Sequence, residues 1–477
     1  MGIHNLVSLA GVFGLMAVAW VFSANRRRMN WRVILLGVAL QLAVGVLVFR
    51  APGSRQVFLW LNDAVYKTLD AAQEGQRFVF GRLALGPGET DASGQTSAAG
   101  FVLAFKALPS IIFFSAAMCV LYYWGIMPWI IRQFARVFTR LMRVSGAESL
   151  CAASNIFVGI ESATTIRPYI EKMTRSELCV VLTAGMATIA SSVMGLYVFM
   201  LCATFPTIAG HLISASVLSA PAAIVMSKIL VPEDGKPLTL GVTPDLAFER
   251  PANAVEAVVD GAMTGLKLVM GVVALLVAFL GILAVLNLIL AQAGRVCGAS
   301  TPWTVQAVLG WAGYPFALLM GVPPRDAAAV GELIGARAVL TEVWSYGKLA
   351  ELAAKGALSE RSVVVTAYAL CGFAHVASMA IFVGGVSALA PSRRKDISAL
   401  ALRALLAATL ACFMTGAVAG ALYRPGDAPL IRSPKTGAAP ADPREPIYPA
   451  CLTCPTGQTP PGDPPCPASL RCPKNAA

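Results

Sequence analysis

Long apolar stretches separated by short polar segments run through most of this chain. The clean stretches lie at 5–24, 32–50, 108–124, 178–204, 266–294 and 397–422. Shorter or interrupted stretches lie at 146–173, 302–345 and 362–390. Several have the roughly 20 residues that a membrane-spanning helix needs. The pattern therefore predicts an all-α polytopic membrane protein with about eight transmembrane helices.

Two of these regions carry nearly the same motif about 190 residues apart. Residues 185–191 have the sequence GMATIAS, and residues 372–378 have the sequence GFAHVAS. Each motif follows a segment with a glutamate at expected membrane depth, Glu161 in one half and Glu342 in the other. Small and hydroxyl-bearing residues at corresponding places in two halves are typical of a transporter site at a repeat interface. We therefore predict a secondary transporter with inverted repeats and broken helices.

The polar residues within the interrupted stretches predict two re-entrant hairpins. Non-helical backbone at membrane depth persists only against protein or a water-filled cavity. We expect the first hairpin at 146–173 and the second at 302–345, where Pro323-Pro324 and the glycine-rich segment 331–335 interrupt the apolar run. Thr174 and Glu177 form an expected capping box at the start of the next helix.

The chain divides into four expected regions. They are N-terminal helices with an amphipathic interfacial segment (1–100), the first half of the transport core (101–295), its second half (296–423) and a disordered Pro- and Cys-rich tail (424–477). The amphipathic segment covers 54–82, where apolar residues recur at helical spacing.

Composition and charge support a membrane location. Hydrophobic residues make up 57% of the chain and charged residues 13%, whereas a soluble domain carries about 25% charge. The net charge of +12 comes largely from clusters near 26–32, 132–143 and 393–395. With these clusters in the cytoplasm, both termini lie outside the inner membrane. The positive charge therefore indicates topology rather than nucleic-acid binding, and the arginines that follow the first apolar stretch favour a retained helix over a signal peptide.

The eleven cysteines form two groups. Seven lie in apolar segments and are expected to pack as small hydrophobic residues: Cys119, Cys151, Cys179, Cys202, Cys297, Cys371 and Cys412. The other four lie in the tail, where disulfides are one interpretation and a zinc site is a weaker one: Cys451, Cys454, Cys466 and Cys472. We expect no resident cofactor.

Several motifs identify a family resemblance. They are the segments 145–150 (SGAESL), 155–159 (NIFVG), 173–178 (MTRSEL), 219–222 (SAPA) and 368–374 (YALCGFA). Together they resemble the concentrative nucleoside transporter family over about 108–423. The resemblance implies a homotrimer whose protomers each have eight spans and two re-entrant hairpins, and which move nucleosides with Na⁺ or H⁺.

The resemblance also implies a Na⁺ site formed by neutral oxygens at a helix break, where exposed carbonyls suit a hard monovalent cation. The residues that match the family pattern are Asn155, Ser192, the carbonyls of Val158 and Val193, and the nearby Thr188. In the alternative interpretation, Asn155 and Ser192 merely hydrogen-bond to each other across a helix contact.

The implied substrate site departs from the family pattern. The family hairpin normally has the sequence GQTEAP, whereas this chain has Gly-Ile-Glu-Ser-Ala-Thr at 159–164. The candidate substrate-binding residues are Ile160, Glu161, Ser162, Thr341, Glu342, His375 and Ser378. A sugar-like diol fits Glu342, His375 and Ser378, while base recognition by the usual amide contact is altered. An ionisable side chain at membrane depth is a functional candidate; Glu148 and Glu332 are weaker candidates because helix ends or interfaces suit them.

The leading hypothesis is Na⁺-coupled symport of nucleosides or nucleoside-like solutes. Three alternatives remain at this stage. The first is H⁺-coupled transport of another hydroxylated solute through His375 or Glu161, and the second is a ligand sensor of the same fold. The third is an intramembrane hydrolase that uses Ser378 or Ser192 with His375.

Overall fold

The computed structural model of the protein describes residues 2–51, 53–86, 102–202, 204–247, 250–298 and 303–424. The N-terminal region contains α1 (Ile3–Val21), α2 (Trp31–Arg50) and α3 (Ser54–Phe80). The first half of the core contains α4 (Leu103–Lys106), α5 (Ser110–Tyr123), α6 (Ile126–Met142), α7 (Gly146–Ser154), α8 (Arg167–Ile170), α9 (Arg175–Ala187), α10 (Ser191–Leu201) and α11 (Ile208–Leu230). The second half contains α12 (Ala254–Val296), α13 (Val305–Leu319), α14 (Pro324–Arg337), α15 (Glu342–Ala354), α16 (Glu360–Leu370), α17 (Val376–Leu389) and α18 (Arg394–Leu422). Three short 3₁₀ segments complete the described part, at Gly81–Ala84, Ile160–Ile166 and Pro391–Arg393.

The prediction of an all-α polytopic membrane protein is confirmed. Seven helical segments of the described chain are long and apolar enough to cross a membrane: Ile3–Val21, Trp31–Arg50, Leu103–Tyr123, Arg175–Leu201, Ile208–Leu230, Ala254–Val296 and Pro391–Leu422. The predicted apolar stretches omitted the fifth of these, α11. Its histidine, serines and proline interrupt the apolar run, yet the helix is almost entirely buried, and side chains such as His211 and Ser216 hydrogen-bond to other segments of the protein.

The helices differ in how much of their surface the protein covers. Helices α9 and α11 are buried along nearly their whole length. In contrast, α12 exposes large apolar side chains such as Val277, Leu288 and Ile289. Where α12 does pack, small residues allow it: a Cβ atom on Gly261 would lie 2.6 Å from the Cα atom of Ala116 on α5. Exposed apolar helix surface combined with small-residue helix contacts is the packing expected in lipid.

The polar residues at the start of α9 cap the helix as predicted. The Thr174 side chain accepts a hydrogen bond from the Glu177 backbone N–H, and the Glu177 carboxylate accepts one from the Thr174 N–H. The reciprocal bonds satisfy two of the four N–H groups that a helix start leaves free.

The glycines at 331–335 do not interrupt the helix, so that expectation was wrong. Helix α14 is continuous from Pro324 to Arg337. A Cβ atom on Gly313 would lie 2.2 Å from the Gly331 carbonyl oxygen, and one on Gly335 would lie 2.3 Å from the Leu309 oxygen. These glycines therefore allow the backbones of α13 and α14 to touch. The actual interruption precedes α14, at 320–323.

Each half contains a helix followed by a turn and a second short helical arm. In the first half, α7 leads through 155–159 to the 3₁₀ segment and α8, all within the range predicted for the first hairpin. In the second half, α14 leads through 338–341 to α15. The Ser345 hydroxyl on α15 donates to the Leu333 carbonyl at 3.0 Å and holds the two arms together. The range 302–345 thus includes α13, α14 and only the first turn of α15.

Among the seven cysteines of the described chain, five are buried and Cys119 is half-buried, but Cys297 is exposed. The expectation that it packs as a small hydrophobic residue was wrong, because it lies just past the last turn of α12. The predicted tail, with its four cysteines, lies outside the described residues apart from Arg424.

A buried ionic network fastens the base of the first hairpin. Lys228 on α11 lies 2.9 Å from the Glu148 carboxylate on α7 and 3.1 Å from Glu233. Its ammonium also donates to the Ser176 hydroxyl on α9 at 3.1 Å. Glu148 therefore has a structural ion-pair partner, and the network joins three elements.

We expect Lys228→Met to destabilise the protein by about 3–5 kcal/mol, because it leaves buried carboxylates without their cation. Thermal unfolding of the purified protein in detergent measures the effect. Lys236→Met is the matched control, because Lys236 is exposed in a loop. Equal unfolding temperatures for the two variants would show that the network contributes nothing to stability.

Candidate functional site

Two helices of the core are broken at corresponding positions. The first break lies at Thr188–Ala190, between α9 and α10, and the second lies at 371–375, between α16 and α17. Thr188 and His375 both adopt extended backbone conformations. A break leaves carbonyl groups free at the end of one half-helix and N–H groups free at the start of the next. The two GxAxxAS motifs therefore supply backbone polar groups in the protein interior.

The two breaks lie against each other. A Cβ atom on Gly372 would lie 2.8 Å from the Ala187 carbonyl oxygen and 2.6 Å from the Cys412 sulfur. The Cys412 thiol on α18 donates to the carbonyls of Ala187 and Cys371, at 3.6 Å in each case. Glycine at 372 is thus needed for close backbone approach, and α18 contacts both breaks.

A polar cluster surrounds the second break. Glu342 is the first residue of α15, and its carboxylate oxygen Oε2 lies 2.9 Å from His375 Nε2. The other oxygen, Oε1, accepts a hydrogen bond from the Tyr197 hydroxyl on α10 at 2.6 Å. The Ser378 hydroxyl lies 2.6 Å from His375 Nε2. All four side chains are buried, so the cluster joins the second hairpin to both broken helices.

The protonation pattern of His375 follows from its role as the N-cap of α17. Its Nδ1 atom accepts the Ser378 backbone N–H at 3.2 Å and therefore carries no proton in the neutral ring. The proton assigned in this way lies on Nε2, which faces Glu342. The ring is held in a single tautomer that presents an N–H to the carboxylate.

This arrangement does not fit a hydrolase. In a catalytic triad, the serine and the acid contact opposite nitrogens of the histidine ring. Here the Ser378 hydroxyl and the Glu342 carboxylate are both nearest to Nε2. Ser378, His375 and Glu342 therefore do not form the catalytic triad that the hydrolase alternative requires of Ser378.

Two tyrosines form one wall of the cluster. The rings of Tyr197 and Tyr346 lie 4.7 Å apart between centroids with an interplanar angle of 30°. The Tyr346 hydroxyl donates to the Ala367 carbonyl near the end of α16 at 2.8 Å. An aromatic wall beside a carboxylate suits a ligand with an apolar face and hydroxyl groups.

Backbone contacts hold the second hairpin against its break. The Val376 N–H, at the start of α17, donates to the Ala338 carbonyl in the hairpin turn at 3.1 Å. Thr341 lies in the same turn, directly before Glu342, and its buried hydroxyl oxygen has no hydrogen-bond partner among the described residues. Thr341 thus retains an unused polar group next to the cluster.

The first hairpin presents Glu161 beside the first break. A Cβ atom on Gly159 would lie 3.3 Å from the Glu161 carboxylate and 3.5 Å from the Ala190 methyl group. Ser162 is buried and accepts a weak hydrogen bond from the Cys151 thiol at 3.8 Å, within the hairpin itself. Ile160 lies on the same 3₁₀ segment, but its side chain is outside the described part. Of these three hairpin candidates, Glu161 is the one with a carboxylate, and that carboxylate forms no ion pair with a described residue.

The predicted cation ligands lie at the contact between this hairpin and the first break. Asn155 caps the end of α7, and its side-chain N–H donates to the Cys151 carbonyl at 3.0 Å. Its oxygen Oδ1 is buried with no donor among the described residues. The alternative interpretation was that Asn155 and Ser192 merely hydrogen-bond to each other. The described contacts contain no such hydrogen bond. A buried acceptor without a donor suits a bound cation.

The first break and the hairpin tip supply further candidate oxygens. The Ser191 N–H donates to the Phe157 carbonyl at 2.9 Å and fixes the start of α10 on the hairpin tip. The Thr188 hydroxyl donates to the Ala184 carbonyl at 2.9 Å, which leaves its own lone pairs free. Ser192 and Val193 lie in the first turn of α10, and Val158 lies at the hairpin tip. These residues could hold a monovalent cation through neutral oxygens.

Helix α10 links the two candidate sites physically. Its first turn carries Ser192, and Tyr197 lies five residues later, a rise of about 7.5 Å along the helix. A displacement of the first turn by a cation would therefore move the hydroxyl that bonds to Glu342.

Sequence reasoning missed several residues of this site. Nothing in the sequence marks Tyr197 or Tyr346, because aromatic residues are common in apolar helices. Arg337 and Lys228 did carry a signal, since basic residues within apolar segments are costly and normally have a role.

Three family models match the chain. They are described as "Na+ dependent nucleoside transporter N-terminus" (residues 10–83), "Nucleoside recognition" (residues 104–204) and "Na+ dependent nucleoside transporter C-terminus" (residues 211–420). Together they cover most of the described core.

Individual relatives agree with these matches. "Nucleoside permease NupC" of Helicobacter pylori is 36% identical over 420 residues, which cover 87% of this chain and 97% of the relative. "Solute carrier family 28 member 3" of Mus musculus is 36% identical over 437 residues, 88% of this chain. The matched region spans 59% of that mouse relative's length.

A solved structure shares the fold. The protein titled "Structure of CNTnw in an inward-facing substrate-bound state" aligns with a TM-score of 0.80 and 35% identity, covering 88% of this chain and 98% of the other. The chain belongs to the concentrative nucleoside transporter family, a family of integral membrane transporters.

Proposed function

We propose that this chain is a symporter that couples Na⁺ entry to uptake of nucleosides or nucleoside-like solutes across a bacterial inner membrane. The observation that carries the proposal is the buried cluster of Glu342, His375, Ser378 and Tyr197 at the second helix break. The names of relatives that refer to nucleosides and sodium support the same assignment.

The sugar of the substrate binds at Glu342. An ionised carboxylate offers about four lone-pair positions, and the contacts to Tyr197 and His375 use only part of this capacity. Two ribose hydroxyls donate to the remaining positions, while Ser378 and Thr341 contribute further hydroxyl contacts. A diol is thus recognised by a carboxylate whose orientation other residues already hold.

The base of the substrate faces the first hairpin. Glu161 and the Ile160 position occupy the place where the family pattern has other residues. Glu161 accepts hydrogen bonds from the base or from a sugar hydroxyl, and Ser162 supports the hairpin from within. Because the first hairpin lacks the GQTEAP sequence, we expect this chain to prefer other substrates than relatives that have it.

The Na⁺ ion binds between the first hairpin and the first break. Asn155 Oδ1, the oxygens of Thr188 and Ser192, and the carbonyls of Val158 and Val193 supply its ligands. One charge moving inward through about 100 mV releases about 2.3 kcal/mol, enough for roughly 50-fold accumulation.

The assembly and orientation also belong to this proposal. The protomers form a homotrimer in the lipid bilayer, with both termini periplasmic and the arginine clusters cytoplasmic. The exposed apolar surface of α12 is consistent with lipid or subunit contact. The four regions predicted from the sequence correspond to the N-terminal helices, the two halves of the core and the tail.

One observation favours a second candidate. His375 and Glu342 form a close pair in the interior, and such a pair can carry a proton. In that case the chain couples uptake to H⁺.

We expect Glu342→Gln to raise the half-saturating uridine concentration about 10- to 100-fold, because hydrogen bonds to a charged group contribute about 1.5–3 kcal/mol. Concentration-dependent uptake in proteoliposomes measures this. Glu332→Gln makes the same chemical change on α14, outside the cluster, and we expect it to leave uptake near wild type. If the two variants behaved alike, Glu342 would have no special role in substrate binding.

We expect Asn155→Ser to raise the half-saturating Na⁺ concentration about tenfold or more, because the shorter side chain withdraws an oxygen ligand worth about 1.4 kcal/mol. Uptake measured against Na⁺ at constant ionic strength tests this. Asn253→Ser is the control, because Asn253 only caps α12 and serine also caps helices.

Unchanged Na⁺ dependence in Asn155→Ser would contradict the cation site. Uptake that ignores Na⁺ in the wild type but follows a pH gradient would instead support H⁺ coupling.

A further inference from the structure

Arg337 is a buried cation with almost no partners. It is the last residue of α14, its side chain has 0% exposure, and it is among the largest fully buried side chains of the described chain. One nitrogen, Nη1, donates to the Ala369 carbonyl at 2.6 Å. The nitrogens Nε and Nη2 are buried without a nitrogen or oxygen acceptor, the Cys412 sulfur is a weak side-chain partner of the guanidinium, and no described carboxylate forms an ion pair with it. A buried guanidinium without a carboxylate requires another source of negative potential.

The end of α16 supplies that potential. Ala369 is the penultimate residue of α16, immediately before the second break. The last carbonyls of a helix carry partial negative charge, because they lack intrahelical donors and stand at the negative end of the helix dipole. The guanidinium also lies 5.5 Å from the centroid of the Phe413 ring on α18. Arg337 thus occupies a cation position made of backbone oxygen and an aromatic face.

A second negative helix end lies close by. The end of α9 at Ala187 packs against Gly372, and the Cys412 thiol bridges the two breaks. Cys412 directly precedes Phe413, over which the guanidinium lies. Two helix ends of the same sign therefore converge in the interior, and a positive charge beside them is favourable.

The two halves of the core carry different chemical groups at the helix end that precedes the hairpin glutamate. Asn155 follows the last residue of α7, and Arg337 is the last residue of α14. Each precedes its hairpin glutamate by a similar distance, six residues to Glu161 and five to Glu342. In the first half the residue offers an unpaired buried oxygen, whereas in the second half it offers unpaired buried N–H groups. The Asn155 position can therefore accept a cation, whereas the Arg337 position already contains the positive charge of the guanidinium.

We propose that Arg337 is a tethered cation that occupies, in the second half, the position that Na⁺ occupies in the first. The inference rests on the proposed Na⁺ site in the first half. It follows that the transporter couples to a single Na⁺, and that removal of the guanidinium charge creates a second monovalent cation site at the end of α16. The Ala369 carbonyl and an introduced amide oxygen are its first ligands.

The test compares wild type, Arg337→Lys and Arg337→Gln in proteoliposomes that contain the full chain. Lysine keeps the charge, whereas glutamine supplies an amide oxygen like that of Asn155. Initial fluxes of radioactive Na⁺ and labelled uridine give the number of ions per substrate. We expect about one Na⁺ per uridine for wild type and Arg337→Lys and about two for Arg337→Gln, with a Hill coefficient for Na⁺ that rises from about 1 to about 2.

Two ions per uridine in wild type or in Arg337→Lys would overturn the proposal, as would an unchanged ratio in Arg337→Gln. If Arg337→Gln does not transport, its thermal unfolding is measured in NaCl against choline chloride. We expect a Na⁺-specific stabilisation larger than that of wild type, and an equal or smaller one overturns the proposal. If Arg337→Gln does not fold, two Na⁺ per uridine in wild type or in Arg337→Lys still overturns the proposal.

The same experiment separates this inference from the proposed function. Wild-type uptake that does not respond to Na⁺ would contradict the first-half site itself. In that case, a Na⁺-specific stabilisation gained only in Arg337→Gln would still support a cation position at Arg337.

Discussion

Backbone polar groups freed inside an apolar protein must find partners, and the two helix breaks impose this requirement at the centre of the molecule. Lipid offers no donors or acceptors, so the breaks exist only where other segments satisfy them. The close contact of Ala187, Gly372 and Cys412 provides part of this satisfaction. The hairpin turns provide more, through the Phe157 and Ala338 carbonyls. In the proposed function, polar groups that remain at the breaks bind the ion and the substrate.

In the proposed mechanism, the breaks also couple cation binding to substrate binding. Helix α10 begins at the proposed Na⁺ site and presents Tyr197 to Glu342 less than two turns later. A ligand shifts a conformational equilibrium only through different interactions with its two states. The proposed cation ligands at the first turn of α10 would meet this condition if ion binding changes the orientation of Tyr197. Arg337 supplies a permanent charge on the other side of the same centre.

Much of this architecture could be predicted from the sequence. Apolar stretches predicted most of the membrane helices, and the repeated GxAxxAS motif located both breaks, because small residues there must permit close backbone approach. The capping box at Thr174 was predictable from local chemistry alone. Helix α11 was missed because its polar residues have distant partners, and the glycines at 331–335 were misinterpreted because a glycine in a helix can serve packing as well as interruption. The contacts of Tyr197 and Arg337 depend on tertiary packing between segments more than 30 residues apart, which no local pattern records.

Uptake of labelled uridine and adenosine into proteoliposomes, with Na⁺ and pH gradients imposed separately, tests whether this chain couples nucleoside entry to Na⁺. We predict that an inward Na⁺ gradient drives accumulation of at least one nucleoside and that a pH gradient alone does not. Accumulation driven only by the pH gradient would contradict the cation site at Asn155. Absence of uptake of either compound by folded, trimeric protein would contradict the assignment of nucleosides as substrates.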